Sequence, residues 1–223
     1  MTAWSFSSLE QFRNCPKQYQ EVRVLKNFKE DDTVEWRVWG NRVHEALALA
    51  LKNNTKLPPD MDVWSSLIDK FRKLKGRLLT EQQMALTEGF QPCEWYGGSR
   101  VWVRGIIDAL WLREDGVAQA VDWKTGKRKL NSDQLALFAL LVFHHYPQVH
   151  ECRTMFVWLK TGQGDAVTYK RSQIAELWQL FMTDVQRLES CMGSNTWVPR
   201  TSGLCSEWCP VVTCQYNGKR RNW

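Results

Sequence analysis

The chain has 223 residues, of which 43% are hydrophobic and 24% are charged, an ordinary balance for a protein with one sizeable core. It lacks any apolar run of about 18 residues, and its start lacks a basic segment followed by an apolar one. We therefore expect no membrane span, no secretory signal and a cytoplasmic location. The 30 Lys and Arg residues against 24 Asp and Glu give a net charge of +6, which favours a polyanionic partner.

Helices are predicted for the first third of the chain. Ser7-Ser8-Leu9-Glu10 is typical of a capping box, and an amphipathic helix is expected to follow it to about residue 22. Apolar positions at helical spacing predict a second helix over about 34–52, ended by Pro58-Pro59. A third, basic helix is predicted over about 63–79.

The pattern then changes to alternating strands. Strands are predicted over 101–111 and 117–124, followed by an apolar helix over 132–145, a hairpin of 154–160 with 166–170, and a final helix over 172–191. We expect a single α/β domain over 1–223. Its predicted parts are a helical region of 1–80, a catalytic sheet with helices over 84–192, and a cysteine-bearing tail over 193–223.

The first hairpin carries a set of charged residues. Its three-residue loop ends in Gly116, which suits a turn whose last residue is left-handed and which places Arg113 opposite Val117. The same register places Asp108 opposite Asp122, with Cβ atoms about 4.5–5.5 Å apart on one face. Strand alternation brings Lys124 to that face as well.

Two carboxylates and a lysine in this arrangement form a recognisable chemical set. Carboxylate oxygens hold Mg²⁺ or Mn²⁺, and a lysine beside them can orient a water molecule or stabilise charge on a phosphate. The other interpretation is a surface hairpin with an ordinary Asp–Lys pair. The apolar residues on both sides of these charges favour a functional site.

Five short motifs follow one another along the chain. They are Ser7 to Tyr19 (SSLEQFRNCPKQY), Gly40 to His44 (GNRVH), Gly105 to Asp108 (GIID), Asp122 to Gly126 (DWKTG) and Gln134 to Phe138 (QLALF). In this order they resemble the motifs of the RecB-type branch of the PD-(D/E)XK nucleases. That branch includes the RecB and AddB nuclease domains, CRISPR-adaptation exonucleases and phage exonucleases. Phe138 stands where the branch usually has a tyrosine.

The resemblance implies a restriction-endonuclease-like core, in which helices flank a mixed central sheet. It also implies Mg²⁺- or Mn²⁺-dependent hydrolysis of phosphodiester bonds in DNA. Carried over motif by motif, the metal ligands are His44, Asp108 and Asp122, Lys124 acts on the attacking water, and Gln134 completes the catalytic set.

Two of these residues have a structural alternative. The helix that carries His44 also carries Leu47 and Leu51 on the same side, so the imidazole could be a core histidine bonded to the backbone. Gln134 could cap the helix that begins near it. Lys127, Arg128 and Lys129 directly follow the second strand and are predicted to bind DNA phosphates, the alternative being a solvated turn.

Seven cysteines in a chain expected to be cytoplasmic argue against a disulfide framework, and three near the C-terminus suggest a metal site. The resemblance implies that Cys15, Cys205, Cys209 and Cys214 hold a [4Fe–4S] cluster, although the middle cysteine of the tail is displaced by one residue from the usual spacing. The alternatives are Zn²⁺ on the same four thiolates, or no metal. Three isolated cysteines are expected to be ordinary thiols: Cys93, Cys152 and Cys191.

The sequence therefore predicts a metal-dependent deoxyribonuclease, an exonuclease of recombination, repair or end resection. Its partner is DNA, with a helicase, a single-strand annealing protein or a CRISPR integrase as possible protein partners. A catalytically inactive DNA-binding subunit that keeps the nuclease fold is the alternative, and a nuclease that acts on RNA or nicks internally is a third interpretation.

Overall fold

A computed structural model describes residues 3–96, 100–128 and 133–219. The chain forms two compact units. We call Thr33–Trp178 the central unit, and Met1–Asp32 together with Gln179–Trp223 the terminal unit.

The central unit contains a six-stranded sheet. Its strands are β1 (Arg77–Leu86), β2 (Pro92–Cys93), β3 (Val103–Leu112), β4 (Val117–Lys124), β5 (Glu151–Trp158) and β6 (Gln163–Lys170). The spatial order is β2-β1-β3-β4-β5-β6. Only β4 and β5 run parallel among these neighbours, and the other pairs are antiparallel. This is the mixed central sheet that the sequence predicted.

The hairpin of β3 and β4 has the predicted turn. Gly116 has φ +77°, and a Cβ there would lie 2.9 Å from the carbonyl oxygen of Gln148, so both conformation and space favour glycine. The Arg113 N–H donates to the Val117 carbonyl at 3.0 Å. The β3–β4 ladder then continues in the predicted register as far as the pair Ala109–Val121.

Helices contribute the rest of the central core. They are α3 (Glu35–Asn53), α4 (Ser65–Arg72) and α5 (Asp133–His145), with a 3₁₀ turn over Pro59–Trp64 and another over Arg171–Gln173. One side of α3 and α4 packs with β3, β4 and β5, for example through Leu47, Phe71, Trp111 and Trp123. The apolar sequence of α5 reflects burial on most sides, since Leu135 to Phe143 are all buried.

The terminal unit contains short helices at both ends of the chain. These are α1 (Phe6–Asn14), α2 (Pro16–Tyr19) with a π-helical turn over Gln20–Val24, the part of α6 (Ile174–Ser194) from Gln179 onward, and α7 (Leu204–Glu207). Stacking of Tyr19 on Trp197, with centroids 6.0 Å apart, joins the two ends of the chain within this unit.

Three sequence predictions about local structure were wrong. The capping box is formed by Ser5 and Ser8, so α1 begins before the predicted Ser7. The first helix also breaks at Cys15, which is extended (φ −160°, ψ 107°) because Pro16 disfavours helical backbone before it. The predicted helix of 63–79 ends at Arg72, and strand β1 starts at Arg77, after Gly76 with φ +115°.

The described residues contain no helix that is both long enough and apolar enough to cross a membrane.

Candidate active site at the end of the central hairpin

The backbone pairs between β3 and β4 end next to Asp108, and the Asp108 side chain makes the next bond between the two strands. Instead of a backbone pair between Asp108 and Asp122, the Trp123 N–H donates to Asp108 Oδ2 at 2.7 Å. Asp108 Oδ1 lies 3.2 Å from Nδ1 of His44 on α3. The β3–β4 ladder has the predicted register and ends at Ala109–Val121, one position before the predicted Asp108–Asp122 pair, and both carboxylates are buried.

Asp122 reaches a different set of partners. Its Oδ2 lies 2.7 Å from Nζ of Lys124, and its Oδ1 accepts a hydrogen bond of 3.2 Å from the Gln134 amide. The Gln134 carbonyl oxygen in turn accepts from Lys124 at 3.0 Å. The ammonium also lies 4.8 Å from the ring centroid of Phe156. Gln134 therefore holds the lysine and the aspartate together from the start of α5.

Asp122 Oδ2 is buried and has no well-directed hydrogen bond, in spite of the close lysine. The Lys124 ammonium supplies positive charge 2.7 Å from this oxygen, and a buried carboxylate oxygen without a well-directed hydrogen bond still has a lone pair open to a further positive group. A carboxylate oxygen of this kind is a typical ligand atom for a divalent cation.

Glu81 is a third acidic residue of the site, and it was not among the predicted site residues. The flanking pairs of the β1–β3 ladder place it opposite Asp108, and its φ of +48° is left-handed. That conformation costs a non-glycine residue roughly 1–2 kcal/mol. One ligand atom each from His44, Glu81 and Asp108 lies within 4.8 Å of the other two. No sequence pattern indicated Glu81, because β1 itself was not predicted.

The charges of the site alter its protonation. Burial and the negative charge of Asp108 raise the pKa of Asp122 from its ordinary 3.8 to about 6, against the attraction of Lys124. Burial lowers the pKa of His44, but the hydrogen bond and charge of Asp108 outweigh it and raise that pKa overall. Partial loss of water, followed by the charge of Asp108, raises the pKa of Glu81. Negatively charged side chains lie close together here, as they do in sites that bind a cation.

A groove opens beside this cluster in the central unit. Its lining residues come from α3, β1, β3 and the end of β4: Trp36, Arg37, Gly40, Asn41, His44, Glu45, Ala48, Leu49, Lys52, Thr80, Glu81, Ile106, Asp108 and Thr125. His44 thus lies at an accessible surface and not in a closed core, which favours the ligand interpretation over the structural one.

The predicted basic patch is only partly available for DNA. Lys127 is exposed, whereas Arg128 forms an ion pair with Asp165 and a hydrogen bond of 3.2 Å with Gln163. Lys129 lies outside the described residues.

The four predicted cluster cysteines are brought together in the terminal unit. Cys15, Cys205, Cys209 and Cys214 all line one pocket. Burial raises the pKa of the Cys209 thiol, and the charges of the other three add to this effect. Backbone N–H groups of Gln18 and Arg200 each approach Cys15 Sγ at 3.4 Å.

A mixed sheet that carries an Asp, an Asp-x-Lys pair and a helical histidine at the end of its central hairpin defines the class of restriction-endonuclease-like nucleases. The family profile of the PD-(D/E)XK nuclease superfamily matches residues 3–214, and the chain belongs to that superfamily.

The chain is similar to solved structures at low sequence identity. A candidate exonuclease from Eubacterium rectale is 11% identical with a TM-score of 0.54, and the match covers 99% of this chain and 89% of that one. The protein SSO0001 is 15% identical with a TM-score of 0.48, over 97% and 88% of the two chains. No curated protein matches the sequence significantly.

Proposed function

We propose that this protein is a divalent-metal-dependent DNA nuclease of the RecB-type branch, an exonuclease that acts in recombination, repair or end resection. The observation that carries the proposal is the buried Asp122 oxygen beside Lys124, next to the His44–Asp108 pair. The five ordered motifs support the choice of branch. Net positive charge supports a nucleic-acid partner. A helicase or a single-strand annealing protein is the protein partner that we propose beside DNA.

The residues present fit a hard divalent cation. Asp108, Asp122 and Glu81 offer carboxylate oxygens, and His44 offers an imidazole nitrogen, at the same end of the hairpin. Bound there, Mg²⁺ or Mn²⁺ would polarise a phosphate oxygen and lower the pKa of a coordinated water. The positive charge would also relieve the repulsion that raises the pKa of Asp122.

Lys124 is the residue that we assign to the attacking water. Its ammonium is held by Asp122 at 2.7 Å and Gln134 at 3.0 Å, so it is positioned before any substrate binds. A fixed cation beside a phosphate stabilises the charge that develops in hydrolysis without further reorganisation. Gln134 acts as a positioning residue, because it touches both the lysine and the aspartate.

The test is digestion of end-labelled linear DNA and closed circular DNA, single- and double-stranded, with Mg²⁺, Mn²⁺ or EDTA. An exonuclease degrades the linear forms only, and only with metal. Asp108→Ala, Asp122→Ala and Lys124→Ala should each abolish cleavage and leave folding intact. Asp69→Ala is the matched control, because that carboxylate is 59% exposed on α4. Cleavage in EDTA, or near wild-type rates in Asp122→Ala, would contradict the proposal. Metal-independent binding without cleavage would instead support the inactive DNA-binding subunit.

We further propose that the four-cysteine pocket holds a [4Fe–4S] cluster. Thiolates suit both Fe–S clusters and Zn²⁺. The four cysteines line one pocket, and the resemblance to the RecB-type branch favours a cluster over Zn²⁺.

Such a cluster would join residues about 190 positions apart in the chain. By analogy with a long-loop cross-link, this contributes roughly 5 kcal/mol to stability. Protein purified without oxygen should be brown and contain iron and sulfide. The Cys209→Ala variant should lose the colour and unfold or aggregate. The Cys191→Ala variant should keep both the colour and the fold, because Cys191 lies outside the pocket. Colourless, stable and active protein without iron would contradict the cluster, and stoichiometric zinc would select the alternative.

A further inference from the structure

One face of α3 runs along the groove beside the candidate metal site. Trp36, Gly40, His44 and Ala48 are spaced by four residues and all line the groove. Trp36 is 61% exposed, although tryptophan is a residue that normally buries most of its surface. An exposed indole in a groove that ends at metal-ligating side chains indicates a contact with substrate.

The surroundings of Trp36 suit a nucleic-acid strand. The Arg37 guanidinium lies 5.2 Å from the Trp36 ring centroid. Lys52 also lines the groove and adds a second positive charge, while Glu45 on the same helix adds one negative charge. Ile106, which is 39% exposed, adds an apolar surface on the sheet side of the groove. Aromatic rings with flanking cations are the usual means by which proteins hold single strands.

We propose that Trp36 stacks on an unpaired base of the strand being cut, which makes single-stranded DNA the preferred substrate. This inference rests on the proposed nuclease function. Eight residues of α3 separate Trp36 from His44, a rise of about 12 Å. That distance corresponds to three or four nucleotides at about 3.4 Å per stacked base. Gly40 lies between them and adds no side chain of its own, and the Thr125 side chain lies across from it. A duplex cannot offer a base to the indole, because its bases are paired and stacked inside.

The test compares Trp36→Ala with Trp36→Phe and the wild type. Binding of a labelled single strand, and of the same strand annealed to its complement, is measured by fluorescence anisotropy in EDTA. Trp36→Ala should weaken single-strand binding by about 5- to 150-fold, the range measured for loss of one stacking ring. Duplex binding should stay within about twofold. Phenylalanine should restore most of the loss.

Tyr96→Ala is the control, because this ring is 86% exposed and lies outside the groove. It should leave both affinities unchanged, and melting temperatures of all variants should match the wild type. Equal losses for single strand and duplex, or no loss for the single strand, would overturn the inference. Cleavage by the wild type with Mn²⁺ is measured separately. Trp36-dependent binding without any cleavage would overturn the nuclease proposal alone, and cleavage with unaltered Trp36→Ala binding would overturn this inference alone.

Discussion

Replacing Asp122 by asparagine should stabilise the metal-free protein while it abolishes cleavage. Asparagine resembles the neutral form of the side chain, which the buried site favours. The gap between the ordinary pKa of 3.8 and the folded value of about 6 corresponds to about 3 kcal/mol, at about 1.4 kcal/mol per pH unit. That free energy is the cost of the charged form in the folded protein without a cation.

The pH dependence has a definite sign. Because the folded pKa is raised, the folded wild type binds more protons than the unfolded chain between pH 3.8 and about 6, and its stability falls as the pH rises through that window. The gain in unfolding free energy of Asp122→Asn over the wild type should therefore be near zero around pH 4 and reach its full size above about pH 6. For a chain of this length, about 3 kcal/mol corresponds to roughly 6–12 °C in melting temperature.

Thermal melts in EDTA at several pH values between 4 and 8 provide the assay, with Asp69→Asn as the surface control. Added Mn²⁺ should raise the melting temperature of the wild type more than that of Asp122→Asn, since a cation stabilises only the state that binds it. A variant that melts at or below the wild-type temperature at pH 8, or an advantage that grows toward acid pH, would refute the reasoning.

Three further predictions follow from the same geometry. His44→Ala should lower Mn²⁺ affinity or rate with little change in melting temperature, whereas a core histidine would show the reverse. Glu81→Gln should raise the Mn²⁺ concentration needed for half-maximal cleavage, and an unchanged metal titration would exclude Glu81 as a ligand. Neutralising Lys127, Arg128 and Lys129 together should reduce the slope of log affinity for single-stranded DNA against log salt by about 1.4 and not about 2.1, because Arg128 is already ion-paired and each phosphate contact on a single strand contributes about 0.7. An unchanged slope would exclude the patch from the DNA contact.

The local chemistry of the turn made the central hairpin predictable from sequence. Gly116 needs a left-handed backbone, and the apolar alternation on both sides fixes where the strands begin. β4 accordingly has the predicted bounds, Val117–Lys124. The charged residues of the hairpin interrupt apolar runs, and this interruption distinguishes them in the sequence from ordinary surface charges.

Strand β1 could not be predicted from the sequence in the same way. Its sequence continues a basic, partly apolar segment that fits a helix, and only pairing with β3 makes it a strand. Glu81 was therefore not predicted as a site residue, because it lies opposite Asp108 only when β1 and β3 pair. The break at Cys15 was readable in principle, since Pro16 disfavours helix at the residue before it.

The sequence by itself determined the family motifs, the hairpin register as far as Ala109–Val121, and the four cysteines as one set. The tertiary structure alone decided how the charged groups meet. Asp108 bonds to His44 and the Trp123 N–H, while Asp122 bonds to Lys124 and Gln134. The physical reason is that turn type and alternation act over a few neighbouring residues. The partner of a buried carboxylate is instead set by whichever distant helix or strand packs beside it.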